Sequence, residues 1–345
     1  DLLADAPRGM FHLEIGVQST NPKALAAVRR TFDLVEMKSK IKKLRANTKC
    51  YLHLDVLGGL PYDTYDDFCK SLDDVASLEP EDIQISLVKV LHGTPFEFFT
   101  NKYKIAYMTK PPYTVLKTEW LTPDEAVMIS QISKLFEGIK NTERFNESLE
   151  FLASIQFNSS YSKLFESMVL YWRKHKLLFY NFSPENTAKH LSEYSKTVLK
   201  TEKEKDYLES LLEHELRLTL KSPNVDSYIP ELFTNLLKTK PAFKLSPNIR
   251  GYWYRYNPFS DINNSIANYP IVYSFTKDEK NYPIIESLKL PLDEAFTLLA
   301  IQKKISFDEL GKVWTEFYKN TDIPNFENTI NNLLNSKLLV LCTHR

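Results

Sequence analysis

Residues 11–19, Phe-His-Leu-Glu-Ile-Gly-Val-Gln-Ser, alternate apolar and polar positions without a break. No other feature limits so strongly what this chain can become, because a period of two is a strand with two unlike faces. Phe11, Leu13, Ile15 and Val17 form the apolar face, and His12, Glu14, Gly16 and Gln18 the other. Ser19-Thr20-Asn21-Pro22 follows at once, a helix N-cap signal with proline at the first helical position, and opens a short helix ending in Arg29-Arg30. Residues 51–56 repeat the design, with Leu52, Leu54 and Val56 against Tyr51, His53 and Asp55. A milder third strand, 83–90, sets Ile83, Ile85 and Leu87 against Gln84, Ser86 and Val88. Tyr65, Phe68, Leu72, Val75 and Leu78 fall at helical spacing across 64–78. Strands alternating with helices predict βαβ units and a parallel sheet. Lys110-Pro111-Pro112 ends the pattern.

Burying Glu14 and Asp55 without partners costs several kcal/mol or forces them neutral, so the polar face must line water or a bound polar group. Each strand also runs into a loop suited to close backbone approach: Gly16-Val17-Gln18-Ser19, Gly58-Gly59-Leu60-Pro61, and Leu91-His92-Gly93-Thr94-Pro95. Four of the eight glycines sit there. Ligands of parallel α/β sheets bind at the carboxyl ends of the strands, so these loops, Gln18, Arg30 and Asp55 converge on one opening.

Composition narrows the remaining choices. At 345 residues the chain is long enough for two or three domains. Lys+Arg and Asp+Glu balance at 44 each, which gives no general pull toward nucleic acid or anionic lipid. Cys50, Cys69 and Cys342 are widely spaced and odd in number, which fits a reducing cytoplasm and supplies neither a disulfide framework nor a metal site. No apolar run approaches the ~20 residues of a membrane span. A start at Asp1 rather than Met is expected of a fragment or a processed chain.

Beyond the first 121 residues the chain reads as three further regions. Residues 122–221 are helical, with starts at Thr122-Pro123-Asp124-Glu125 and Ser183-Pro184-Glu185, an apolar face across 161–175, and a helix over 202–220. Residues 222–290 are rich in Tyr and Pro and read as β or irregular, with Gly-Tyr-Trp-Tyr-Arg-Tyr at 251–256 the densest aromatic cluster. Residues 291–345 read as helix, turn, helix, helix and short strand, a winged-helix-like order. Six basic against seven acidic side chains there argue against DNA binding and leave protein docking or capping.

Gly16-Val17-Gln18-Ser19, then Arg30, then Asp55-Val-Leu-Gly-Gly-Leu-Pro resemble the second half of a radical SAM barrel of the oxygen-independent coproporphyrinogen oxidase type. Residues 90–95 are similar to the segment that passes beside the adenine in that family. Trp120-Leu121, Arg144-Phe145, residues 148–151, 164–166 and 171–173 resemble the helical domain of unknown function that follows the barrel in cobalamin-binding-type members. The resemblance covers roughly 11–220. It implies an α/β fold with the last three strands of a partial (β/α) barrel over 1–121. It further implies S-adenosylmethionine as cofactor, with Gln18 and Asp55 on the ribose hydroxyls, Arg30 on the carboxylate, and the Gly59 and Gly93 loops at the adenine edge. Tyr62 departs from the family, which has Gly after Gly-Leu-Pro.

The CxxxCxxC motif that holds a [4Fe–4S] cluster in that family is not in this sequence. The cluster, and the cobalamin of the subfamily, would therefore belong to upstream residues of a parent oxidoreductase or methyltransferase together with the other half of the barrel. The substrate, a small molecule or a peptide, is not named by the residues, and no side chain is assigned a catalytic or metal-binding role. Two other readings stay open: a non-catalytic module that binds a partner or peptide on a barrel remnant, and an ordinary (β/α) barrel enzyme for a phosphorylated or sugar-like substrate. Glu14 either touches ligand or pairs with Arg29 or Arg30. His53 and His92 read as structural, Cys50 and Cys69 as core thiols, and the 251–256 aromatics as packing.

Overall fold

The computed structural model describes residues 3–30, 33–177, 182–220, 243–245, 248–264, 267–277, 283–302, 307–318 and 325–341. It is a mixed α/β chain that divides into two compact units, 1–187 and 188–345.

The first unit begins with β1 (His12–Gln18), α1 (Pro22–Ala27), α2 (Leu34–Asn47), β2 (Tyr51–Gly58), α3 (Tyr65–Ala76) and β3 (Asp82–Leu87). The three strands form one parallel sheet in the order β1-β2-β3, with His12 level with Tyr51, Glu14 with His53, Gly16 with Asp55, and Asp55 with Gln84. Leu52, Leu54 and Val56 are buried, whereas Tyr51, His53 and Asp55 are only partly covered, so the two faces of β2 are as unlike as the alternation predicts. The apolar face of β1 is less well covered: Phe11 is 39% exposed, and only Val17 is buried. β1 forms one edge of the sheet. At the opposite edge, side chains take the place of a fourth strand. Asn141 brackets Ile83 through Nδ2 to its carbonyl (3.0 Å) and Oδ1 from its amide (3.3 Å), and Ser133 Oγ donates to the Ile85 carbonyl (2.6 Å). Those groups would otherwise be an open pairing surface.

The third strand ends at Leu87 rather than running to Val90 as its sequence suggests. The Val88 amide still donates to the Gly58 carbonyl of β2, but the Val88 carbonyl accepts from Val115 and the Val90 amide donates to Tyr113, so beyond Val88 the chain leaves the sheet to build a second small core. Ala24, Leu60, Val88, Val90, Tyr103, Ile105 and Val115 fill it, and it anchors the loops at the carboxyl ends of the strands. α4 (Pro95–Phe98), β4 (Ala106–Tyr107) and β5 (Val115–Lys117) lie in this stretch. Next come α5 (Pro123–Gly138), α6 (Asn146–Phe157), α7 (Tyr161–Lys174) and α8 (Pro184–Val198), the last spanning the boundary between the units. Thr122 and Glu125 close a capping box on α5. The N-terminus of α7 is pinned to α3 by Asp73, which accepts from Ser160 Oγ, Ser162 N and Ser162 Oγ at 2.7–2.8 Å.

In the second unit α9 (Glu202–Thr219) is followed by β6 (Phe243–Leu245), β7 (Ile249–Tyr256), β8 (Ala267–Lys277) and β9 (Pro283–Leu288). Residues 221–242, the start of the Tyr/Pro-rich region, lie outside the described residues. β7, β8 and β9 form an antiparallel sheet in that order. α10 (Leu292–Gln302), α11 (Phe307–Phe317), α12 (Phe326–Asn335) and β10 (Leu339–Leu341) complete the chain, with β10 antiparallel to β6. Alternation along β7 feeds two separate cores. Ile249 and Trp253 pack with Phe296, Leu299 and Trp314, while Tyr254 packs with Ile271 and Tyr273.

Candidate functional site

The carboxyl ends of β1 and β2 hold the residues singled out from the sequence. A bulge separates Gly16 from Gln18, because Gly16 pairs with Asp55 and Gln18 with Val56, leaving Val17 extra and buried. Gln18 sits at φ +69°, a backbone conformation that costs a non-glycine residue ~1–2 kcal/mol. The bulge and this φ fold its carboxamide back over Gly16. A Cβ on Gly16 would collide with Gln18 Nε2 and stand 3.2 Å from Arg30 Nη1, so Gly16 is the floor on which both side chains meet. α1 delivers Arg30: after its last turn Arg29 takes φ +58° and the Arg30 amide bonds back to the Leu25 carbonyl at 2.9 Å.

Asp55 lies level with Gly16 on the neighbouring strand. Its carboxyl is pushed up from the ordinary value mainly by burial, partly offset by His53 and Arg30 and reinforced by Glu14. Its Oδ1 is 3.2 Å from His53 Nε2, but that pair is not aligned as a hydrogen bond, and this buried oxygen has no hydrogen-bond partner. A buried acceptor with room for a further donor, beside a floor crossed by an amide and a guanidinium, is suited to hydroxyl groups. Glu14 is exposed, one strand position pair back and level with His53, and within electrostatic reach of Asp55. Among the described residues it makes no ion pair with Arg29 or Arg30. His53 is held on both sides, by Asp82 Oδ2 at Nδ1 (3.0 Å) and Gln84 Oε1 at Nε2 (3.1 Å).

Gly59 takes φ +89° directly after β2, with Val115 Cγ1 3.1 Å from where a Cβ would be. Gly93 has φ +76° and open space around it, but its N–H is already bonded to Glu97 Oε2 at 2.8 Å. Glu97 also binds His92 Nδ1 at 2.8 Å, and both bonds hold its carboxyl below the usual range. Structure thus brings Gln18, Arg30 and Asp55 together, with Glu14 beside them, and leaves Gly59 and Gly93 in separate loops past the strand ends.

Sequence reasoning missed Asp63. It is 1% exposed, its Oδ1 accepts from Ser19 Oγ at 3.0 Å, its Oδ2 is buried without a partner, and burial raises it to about 7. No periodicity marks a loop carboxylate of this kind. The cluster at 251–256 also holds more than packing. Arg217, its side chain 1% exposed, lies over the rings of Tyr252 and Tyr254 at 4.4 and 4.9 Å and donates to Tyr254 Oη. Tyr254 and Tyr273 share a 2.6 Å bond, and Tyr273 meets His214 Nδ1 at 2.5 Å.

The iron–sulfur cluster implied by the resemblance does not fit the residues described. Cys50 is buried before β2, Cys69 is on α3 with its thiol pushed up to about 11 by burial, and Cys342 lies outside the described residues. Among the described residues no group of three or more His, Cys, Asp or Glu could hold a metal ion, and no helix is long and apolar enough to cross a membrane.

Comparison with known proteins gives partial matches. A family of proteins of unknown function, DUF4080, matches residues 101–235. The chain is similar to tRNA-2-methylthio-N(6)-dimethylallyladenosine synthase of Aromatoleum aromaticum, 37% identical over 73 residues, or 21% of this chain and 16% of that protein. The Coxiella burnetii synthase is 41% identical over 69 residues, 20% of this chain and 16% of that protein. The chain thus spans about one sixth of the length of these curated relatives. Among solved structures, coproporphyrinogen III oxidase from Escherichia coli, a radical SAM enzyme, aligns over 37% of this chain and 27% of its own, at 20% identity and a TM-score of 0.28.

Proposed function

We propose that the first unit is the nucleoside-holding part of a radical SAM protein and that it binds S-adenosylmethionine at the carboxyl ends of β1 and β2. One observation carries this reading: Gln18 and Arg30 meet over the bare α-carbon of Gly16, opposite a buried Asp55 oxygen that faces His53 at 3.2 Å and accepts no well-aligned hydrogen bond. Asp55 Oδ1 accepts from a ribose hydroxyl, and the Gln18 carboxamide can donate and accept beside it. Arg30 offers a forked donor to the carboxylate of the methionine moiety. The Gly59 and Gly93 loops flank the adenine. His53, fixed by Asp82 and Gln84, stands 3.2 Å from Asp55 Oδ1 and offsets part of the burial that raises this carboxyl.

When bound beside a cluster held by other residues, S-adenosylmethionine supplies 5′-deoxyadenosyl-radical chemistry; this chain's part is to bind and orient it. Membership of the cobalamin-binding subfamily rests on the sequence resemblance alone. The test is isothermal titration of the 345-residue chain with S-adenosylmethionine. Asp55→Ala and Arg30→Ala each weaken binding about tenfold or more, the loss expected for one hydrogen bond to a charged group. Unchanged affinity in both variants overturns the assignment.

A further inference from the structure

Next to the proposed ribose contact runs a file of hydroxyl groups that the ligand reading does not use. Ser19 Oγ accepts the Asn21 amide at 3.0 Å, donates to Asp63 Oδ1 at 3.0 Å and lies 3.3 Å from Ser71 Oγ. Ser71 Oγ accepts the Thr20 amide at 2.8 Å and lies 3.2 Å from Thr20 Oγ1. Thr20 Oγ1 donates to Asp74 Oδ2 at 2.9 Å, and Lys38 Nζ holds the other oxygen of Asp74 at 2.6 Å. The file therefore starts at Asp63 in the β2–α3 loop, threads the turn that follows Gln18, and ends on an ion-paired carboxylate of α3.

We propose that the buried carboxyl of Asp63 is the positioning residue for the Gln18–Ser19 turn, and that it acts as a proton-operated latch on ligand binding there. The inference rests on the reading that Gln18 holds the ribose. It follows from counting donors and acceptors. With Asp63 ionised, Ser19 must donate to it, Ser71 can donate to only one of Ser19 and Thr20, and the charge stays buried with no well-aligned hydrogen bond at Oδ2. A proton on Oδ1 reverses the file: Asp63 donates to Ser19, Ser19 to Ser71, Ser71 to Thr20, and Thr20 to Asp74. Every hydroxyl then donates once and every link is made. The groups facing Asp63 compensate its charge only in part, Ser19 and Asn21 favouring the ionised form and Asp67 opposing it, and burial outweighs them. They are the Ser19 hydroxyl, the Asn21 amide and the like-charged Asp67 of α3, itself engaged with Thr64. Burial accordingly brings this carboxyl to about 7, where its proton is exchanged near neutral pH.

With the proton on, the turn is tied at every link and Gln18 keeps its folded-back position over Gly16; with it off, one of the two links through Ser71 is unmade and the turn loosens. Two measurements on the 345-residue chain test this. S-adenosylmethionine affinity, followed from pH 5.5 to 8.5, falls about tenfold through neutrality in the wild type, equivalent to one pKa unit of proton–ligand coupling. Asp63→Asn keeps a neutral donor at the same place, so its affinity stays near the low-pH value and the fall disappears. Asp55 titrates in the opposite sense, because its ionisation makes it a better acceptor, so the reading is the difference between wild type and Asp63→Asn. Without ligand, the urea stability of the wild type falls relative to that of Asp63→Asn as pH rises from about 4 to about 7, the difference removing the slopes that Asp55 and His214 give to both proteins. A difference that stays flat across that window overturns the latch whether or not ligand binds. A difference that falls as expected while the wild type binds no S-adenosylmethionine keeps the latch on the turn and overturns its coupling to that ligand.

Discussion

Replacing Gly16 by alanine separates the role of this residue in the fold from its role in the site. The new Cβ would fall on Gln18 Nε2 and 3.2 Å from Arg30 Nη1, both ends of flexible side chains that can swing away. Gly16 does not need a left-handed backbone, so alanine also restricts the unfolded chain and returns ~0.4–1 kcal/mol to the folded state. The net change in unfolding free energy should stay within about 1 kcal/mol of zero. Binding is another matter, because both displaced groups are proposed ligand contacts. Losing one neutral and one charged hydrogen bond costs about 2–4 kcal/mol together. At 1.4 kcal/mol per decade that is a roughly 30- to 700-fold loss of affinity for S-adenosylmethionine. Gly58→Ala is the matched control. Its Cβ would meet Ile129 Cδ1 at 2.6 Å and Leu87 Cδ2 at 3.2 Å, in packed core, and overpacking of that kind costs ~1–3 kcal/mol. Isothermal titration and urea unfolding of the two variants decide the matter. Wild-type affinity in Gly16→Ala, or a stability loss equal to that of Gly58→Ala, would refute the reasoning.

Two further outcomes concern the supports of the two units. Asp73→Ala removes the acceptor of three hydrogen bonds at the start of α7 and should lower unfolding free energy by about 2–3 kcal/mol in urea titration, whereas a loss under about 0.5 kcal/mol would show the cap to be idle. His214 is pushed down to about 4, first by burial and then by Arg217, so the folded state binds fewer protons than the unfolded one between about 4 and 6.5. Stability of the second unit should therefore rise with pH across that window, by up to about 3 kcal/mol, and His214→Gln should flatten the profile measured by tryptophan fluorescence.

Much of the architecture was legible because it depends on short-range periodicity. The alternation in 51–56 put Leu52, Leu54 and Val56 on one face before any contact was known, and the capping signal at Thr122–Glu125 located the start of α5. The strand end at Leu87 was not legible, since Val88 and Val90 are as apolar as the strand itself and only pairing of the Val88 carbonyl and the Val90 amide with residues 113–115 turns the chain away after Val88. Nor was the full role of the 251–256 aromatics. Their density marks packing, but the buried guanidinium between Tyr252 and Tyr254 comes from α9, far away in sequence.

The same division runs through the candidate site. Sequence by itself determined that polar side chains recur on one face of successive parallel strands and that glycine-bearing loops follow them, because side-chain direction in a strand depends only on position along the chain. Tertiary structure alone decided that Gln18 folds back to meet Arg30 over Gly16, that Asp55 sets a buried oxygen without a well-aligned hydrogen bond toward them, and that Asp63 lies buried at the head of a file of hydroxyls. Desolvation and hydrogen-bond satisfaction are properties of a three-dimensional neighbourhood. For these residues that neighbourhood is assembled from segments tens of positions apart.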